Sequence, residues 1–114
     1  MAGLAIRMAF EPLRSLAFGS VLVGYMGVGT AINHPAREFL VQNLTDATLL
    51  FSFDGVTNHF RLPANGFWLN DNTANKSVSQ GFFLAEGTRL YVKQDGVAPT
   101  SGSVNFTIIY GSEL

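Results

Sequence analysis

From residue 20 to the C-terminus, Gly, Pro, Asn or Asp interrupts the chain every few residues. That spacing leaves room for short strands and for no helix of ordinary length. The clearest stretch is the last, where Val104, Phe106, Ile108 and Tyr110 alternate with Asn105, Thr107 and Ile109 at the period of a strand with one face buried. The same reading places strands over residues 20–26, 28–33, 37–43, 48–53, 57–62, 66–71, 80–84, 88–94 and 102–110. Asp54-Gly55 marks a hairpin turn, Asn65-Gly66 a turn with positive φ, and Pro99-Thr-Ser-Gly102 another. Asn70-Asp-Asn-Thr-Ala-Asn-Lys76 reads as an exposed polar tip. The expected class is all-β, an antiparallel β-sandwich of jelly-roll type.

At 114 residues the chain holds one domain. It is divided here into an extended N-terminal arm, residues 1–18, and a sandwich domain, residues 19–114. In the arm Leu4, Ile6, Met8 and Phe10 alternate with small or polar neighbours until Glu11-Pro12 breaks the run. A short helix over residues 4–10 is the other option, with Pro12 limiting its length. The residues expected to touch a partner subunit are Leu4, Ile6, Arg7, Met8, Phe10, Leu13 and Arg14, by adding a strand to it or lying across it.

Composition narrows the function classes. Charged residues are 13% of the chain and hydrophobic ones 47%, against roughly a quarter charged in an average domain; a partner is expected to cover much of the exterior. The net charge is −1 and the seven basic residues are scattered, so no phosphate-binding footprint exists and nucleic acid is not an expected partner. Cysteine is absent, which excludes disulfides, thiolate metal sites and cysteine nucleophiles. Residues 15–36 carry no formal charge, raising a membrane span or a signal peptide with Gly29 and Ala31 at its cleavage spacing. Gly19, Gly24, Gly27 and Gly29, with Tyr25, Val28, Thr30 and Ile32, favour strands over a spanning helix.

No catalytic constellation emerges. Asp54 and Asp95 each precede glycine, the ordinary use of Asp in a tight turn. His34 precedes Pro35 and His59 is placed in a strand, neither with the partners of a zinc site or a triad. The glycines of Gly24-Tyr-Met-Gly27-Val-Gly29 lack the following helix of a nucleotide loop. Cofactor, metal and catalytic residues are all expected to be none. Phe67, Trp68 and Tyr91 could stack on a sugar ring or simply pack a core. Asn43-Leu-Thr45, Asn75-Lys-Ser77 and Asn105-Phe-Thr107 match the glycosylation triplet.

Ala36-Arg-Glu-Phe-Leu-Val-Gln-Asn43, Ser52-Phe-Asp-Gly55, His59-Phe-Arg-Leu-Pro63, Leu90-Tyr-Val-Lys93 and Pro99-Thr-Ser-Gly-Ser-Val104 together resemble small virion structural proteins of tailed bacteriophages, over residues 36–110. The resemblance implies a non-enzymatic capsid cement or decoration protein on the virion surface, assembled in the host cytoplasm. Its implied partners are the major capsid protein and further copies of itself, as dimer or trimer, bridging neighbouring capsomers. A neck, connector or tail component is the alternative; a carbohydrate-binding sandwich module using Trp68 is the second.

Overall fold

A computed structural model describes residues 6–71 and 84–113. Among the described residues nine strands form two antiparallel sheets and there is no α-helix, an architecture compatible with a β-sandwich. The strands are β1 (Ile6–Phe10), β2 (Arg14–Ala17), β3 (Met26–Gly27), β4 (Ala36–Asn43), β5 (Leu49–Ser52), β6 (Phe60–Leu62), β7 (Phe67–Asp71), β8 (Tyr91–Gln94) and β9 (Ser103–Glu113). One sheet runs β1-β9-β4-β7, with β2 also paired to β9; the other runs β3-β8-β5-β6. No helix among the described residues is long and apolar enough to cross a membrane.

β1 and β2 lie end to end along β9, Phe10 opposite Ile109 and Arg14 opposite Phe106, so they act as one edge strand broken at Glu11-Pro12. Counting them as one gives eight strands whose pairings are nested. First pairs with last (β1 and β2 with β9), β3 with β8, β4 with β7 and β5 with β6. The chain is thus a long antiparallel hairpin, and β9–β4 and β8–β5 pairing rolls it into two sheets.

Alternation fixes which side of each strand is buried. In β4 the buried residues are Ala36, Phe39, Val41 and Asn43, and a bulge between Ala36 and Glu38 absorbs the one break in the alternation. Val104, Phe106 and Ile108 do the same in β9, and they join Leu49 and Phe51 of β5 and Val92 of β8 in one core. Burying each such side chain contributes about 1.5–3 kcal/mol. Backbone turns hold the register: Asn65 has φ +62, and Gly102, at φ +90, sits where a Cβ would collide with the Leu44 carbonyl.

Strands read over 48–53, 57–62, 66–71 and 88–94 each contain an observed one, and those over 37–43 and 102–110 overlap β4, which starts one residue earlier, and β9, which runs on to Glu113. Those over 20–26 and 28–33 do not hold: only Met26–Gly27 pairs there. The segment instead crosses the mouth of the core, burying Val21, Val28 and Ile32 and attaching by single bonds such as Val28 N–H to Leu90 O, 2.8 Å, and Ile32 N–H to Thr88 O, 2.9 Å. Its glycines permit that irregular path, and Val21, Val28 and Ile32 serve burial while Val23 is exposed. Leu84 makes one bridge to Ala36; the rest of 80–84, residues 72–76 of the polar tip, and Leu4 lie outside the described residues.

Residues 6–10 are strand, not helix. The residues drawn as an arm, as far as they are described, pair with the chain's own β9. Glu11 carries the reason. Its carboxylate, 2% exposed, receives Arg14 Nη2 at 2.8 Å and Asn33 N–H at 3.0 Å, and lies 2.8 Å from His34 Nδ1. Arg14 also donates to the carbonyls of Thr30, Ala31 and Pro12. Residues 11–14 are therefore tied to 30–34 by buried charge, and Arg14 is an internal anchor with no free guanidinium to offer a partner. This corrects the reading of Arg14 as a partner-binding residue.

Candidate functional site

The register determines what the five-stranded sheet shows on its outer side. Residues opposite one another share a face, so Phe10 stands with Ile109, Ile109 with Glu38, Leu40 with Thr107 and with Leu69, and Gln42 with Phe67. Met8, two residues before Phe10, is on the same side. Met8, Phe10, Leu69 and Phe67 are all more than half exposed (63%, 61%, 53% and 66%). The result is an apolar band from edge to edge of the sheet, with Asn105, Thr107 and Gln42 between. Its paired positions include two acidic residues, Glu38 and Asp71, and no basic one. Leu13, 59% exposed, projects at the kink beside the band.

Of the residues expected to touch a partner, Met8 and Phe10 lie in this band and Leu13 next to it. Arg7 is exposed on the opposite side of β1 and Ile6 is in β1 itself. Leu40, Phe67, Leu69 and Ile109 belong to the same surface and were missed. Their signal was present: each occupies the outward phase of an alternation whose inward phase is already apolar.

The outer side of the four-stranded sheet carries cations instead. Lys93 lies 4.8 Å from the Tyr25 ring centroid and Arg89 5.5 Å from that of Tyr91, and Arg61 Nε donates to Asp95 Oδ2 at 2.6 Å. Leu50, opposite both Arg61 and Lys93, is the apolar residue among them.

Where β6 and β7 edge the two sheets, Phe53, His59, Phe60, Arg61, Leu62, Phe67 and Trp68 line an open groove of about 600 Å³. Trp68 is held edge-on by Phe60 (4.8 Å between centroids) and Phe39 (5.1 Å). Of the three aromatics considered as a sugar platform, Phe67 and Trp68 both line this groove and Tyr91 does not join them. Phe67 and Trp68 point to opposite sides of β7, and Tyr91 lies on the outer side of the other sheet.

The titratable groups have structural partners. Ser52 Oγ and the Thr57 and Val56 N–H groups donate to Asp54, in that order of effect, and hold its carboxyl well below the usual range. His59 sits in the loop before β6 rather than in the strand, because its Nδ1 accepts the Phe53 N–H at 2.9 Å and turns the chain there. Thr100 bonds Asp46 through both hydroxyl and N–H, which lowers that carboxyl too. Burial alone would raise the Glu11 carboxyl. The hydrogen bonds from His34 and Asn33 and the charge of Arg14 outweigh it, so the carboxyl lies below its ordinary value. His34 stacks on Tyr110 at 3.7 Å. Among the described residues no three His, Asp or Glu gather as a metal site. Asn43 is fully buried and spends its amide on Ala47, Leu62 and Pro63 carbonyls, which removes it as a glycan acceptor.

Comparison with protein-family models, with curated proteins and with solved structures gives no match to this chain. The surfaces themselves must carry the functional reading.

Proposed function

We propose that the chain is a non-enzymatic structural subunit of a virion, a capsid cement or decoration protein of a tailed bacteriophage. It docks on the major capsid protein through the outer side of its five-stranded sheet. The observation that carries this is the apolar band of Met8, Phe10, Leu40, Phe67, Leu69 and Ile109: a contiguous hydrophobic surface on a folded domain marks an interaction site. The nested pairing supports a jelly-roll, because eight strands paired first to last and rolled into two sheets are the arrangement of that fold, which capsid proteins use widely. The N-terminal segment serves docking as part of the sheet, presenting Met8, Phe10 and Leu13, and its hold on Glu11 keeps them in place.

Particles purified from infected cells test the reading. Densitometry is expected to find hundreds of copies per particle; about a dozen would indicate a neck or connector component, and none would refute a virion role. The groove at Trp68 sustains the second reading, a carbohydrate-binding module. A glycan array with the wild type and Trp68→Ala separates it: binding by the wild type alone would favour it, and no binding by either would remove it.

A further inference from the structure

The sheet edges are not equally protected. Exposed edge strands invite pairing with another chain, and proteins blunt them with brevity, charge, proline or irregularity. The β1–β2 edge is broken at Glu11-Pro12 and carries the exposed Arg7. β3 has only two residues. β6 has three, with Arg61 at its centre and Pro63 directly after. β7 is the least protected: its five residues, Phe67-Trp68-Leu69-Asn70-Asp71, hold no proline and no cation, its one charge, Asp71, stands at its end, and among the described residues it pairs with β4 alone.

We propose that β7 is the self-association edge of this protein, pairing antiparallel with β7 of a second copy about a two-fold axis through Leu69. The strand is self-complementary in that register. Leu69 meets Leu69 of the partner subunit, Phe67 meets the partner's Asp71, and Trp68 meets the partner's Asn70, so no like charges face each other. Leu40 is already opposite Leu69 within the chain, and pairing therefore continues one apolar row, Leu40, Leu69 and their two counterparts, across the junction. Two five-stranded sheets become one continuous sheet, and the apolar bands of the two copies face the same side. The proposal stands on the edges alone and does not depend on the virion reading.

The absence of cysteine gives a direct test of register. In full-length protein, Leu69→Cys puts two thiols directly opposite across the axis, with Cα atoms about 4.5–5.5 Å apart, within disulfide reach. Phe67→Cys puts them roughly 13 Å apart along the strands. Under mild oxidation Leu69→Cys is expected to form a covalent dimer at least about tenfold faster than Phe67→Cys. Sedimentation of the wild type is expected to show a monomer–dimer equilibrium that Leu69→Lys, with like charges on the axis, weakens at least about tenfold. Fluorescence of Trp68, the single tryptophan, reports the same association on dilution. Equal cross-linking of the two cysteine variants, or a wild type that stays monomeric at every concentration tested, would overturn the proposal.

Discussion

On the outside of the five-stranded sheet, Met8, Phe10, Ile109, Leu40, Leu69 and Phe67 share one face with uncharged polar residues and with two acidic ones, Glu38 and Asp71, and with no basic residue at a paired position. On the outside of the four-stranded sheet, Arg61 and Lys93 flank Leu50, and Arg61, Lys93 and Arg89 are engaged by Asp95, Tyr25 and Tyr91. Both sheets contribute inward residues to one core, so the difference is not a demand of folding. A face that needs only water keeps its large apolar residues few; a face that exposes several of them together is shaped for another protein surface. The polar face therefore serves as an internal control for the apolar one.

The largest effect expected comes from removing what keeps the apolar band intact. Glu11→Ala leaves Arg14 buried without its carboxylate and should cost about 3–5 kcal/mol in denaturant unfolding, with β1 losing protection against hydrogen exchange. Removal of residues 1–18 deletes a whole edge of the sheet and is expected to unfold the domain, so docking is better probed by surface variants. Phe10→Asp, at an exposed position, should weaken attachment to particles about 100-fold and shift stability by less than about 1 kcal/mol. An unfolded Phe10→Asp protein would remove the distinction between holding the sheet and docking through it.

Acid sharpens the same division. The folded-state pKa of Glu11 is below its ordinary value near 4.5, so its contribution is complete above that value and is lost as pH falls through the lower folded one. Thermal melts between pH 6 and pH 3 should show declining stability at the acid end, with a shallower decline in Glu11→Gln. An equal slope in both proteins would assign the acid response to other groups, such as Asp54. The smallest effect belongs to the polar face: Arg61→Ala removes an exposed pair and should cost less than about 1 kcal/mol, with particle attachment unchanged. A loss of attachment there would reverse the roles of the two faces.

The alternation over 102–110 and the turn signals at Asp54-Gly55 and Asn65-Gly66 made most strands legible, because local side-chain period and backbone freedom are written in adjacent residues. The sequence also showed the outward hydrophobes one by one. It did not show that Leu40, Leu69, Phe67, Ile109 and Phe10 form one band, since that depends on the register between strands as far apart as β1 and β9. The tie of Glu11 to Arg14, Asn33 and His34 was hidden for a similar reason. Two of its partners arrive from some 20 residues away, and Glu11-Pro12 read alone as a break within an arm. Residues 20–33 misled in the other direction: β-branched composition matched burial at Val21, Val28 and Ile32 but not strand pairing.

Electron cryo-microscopy of the native particle, at a resolution that orients the domain, addresses the interface directly. The expected image places many copies on the shell with the outer side of the β1-β9-β4-β7 sheet against the major capsid protein and the Arg61–Lys93 side facing solvent. Copies seated through the four-stranded sheet, or a shell bearing none, would contradict it.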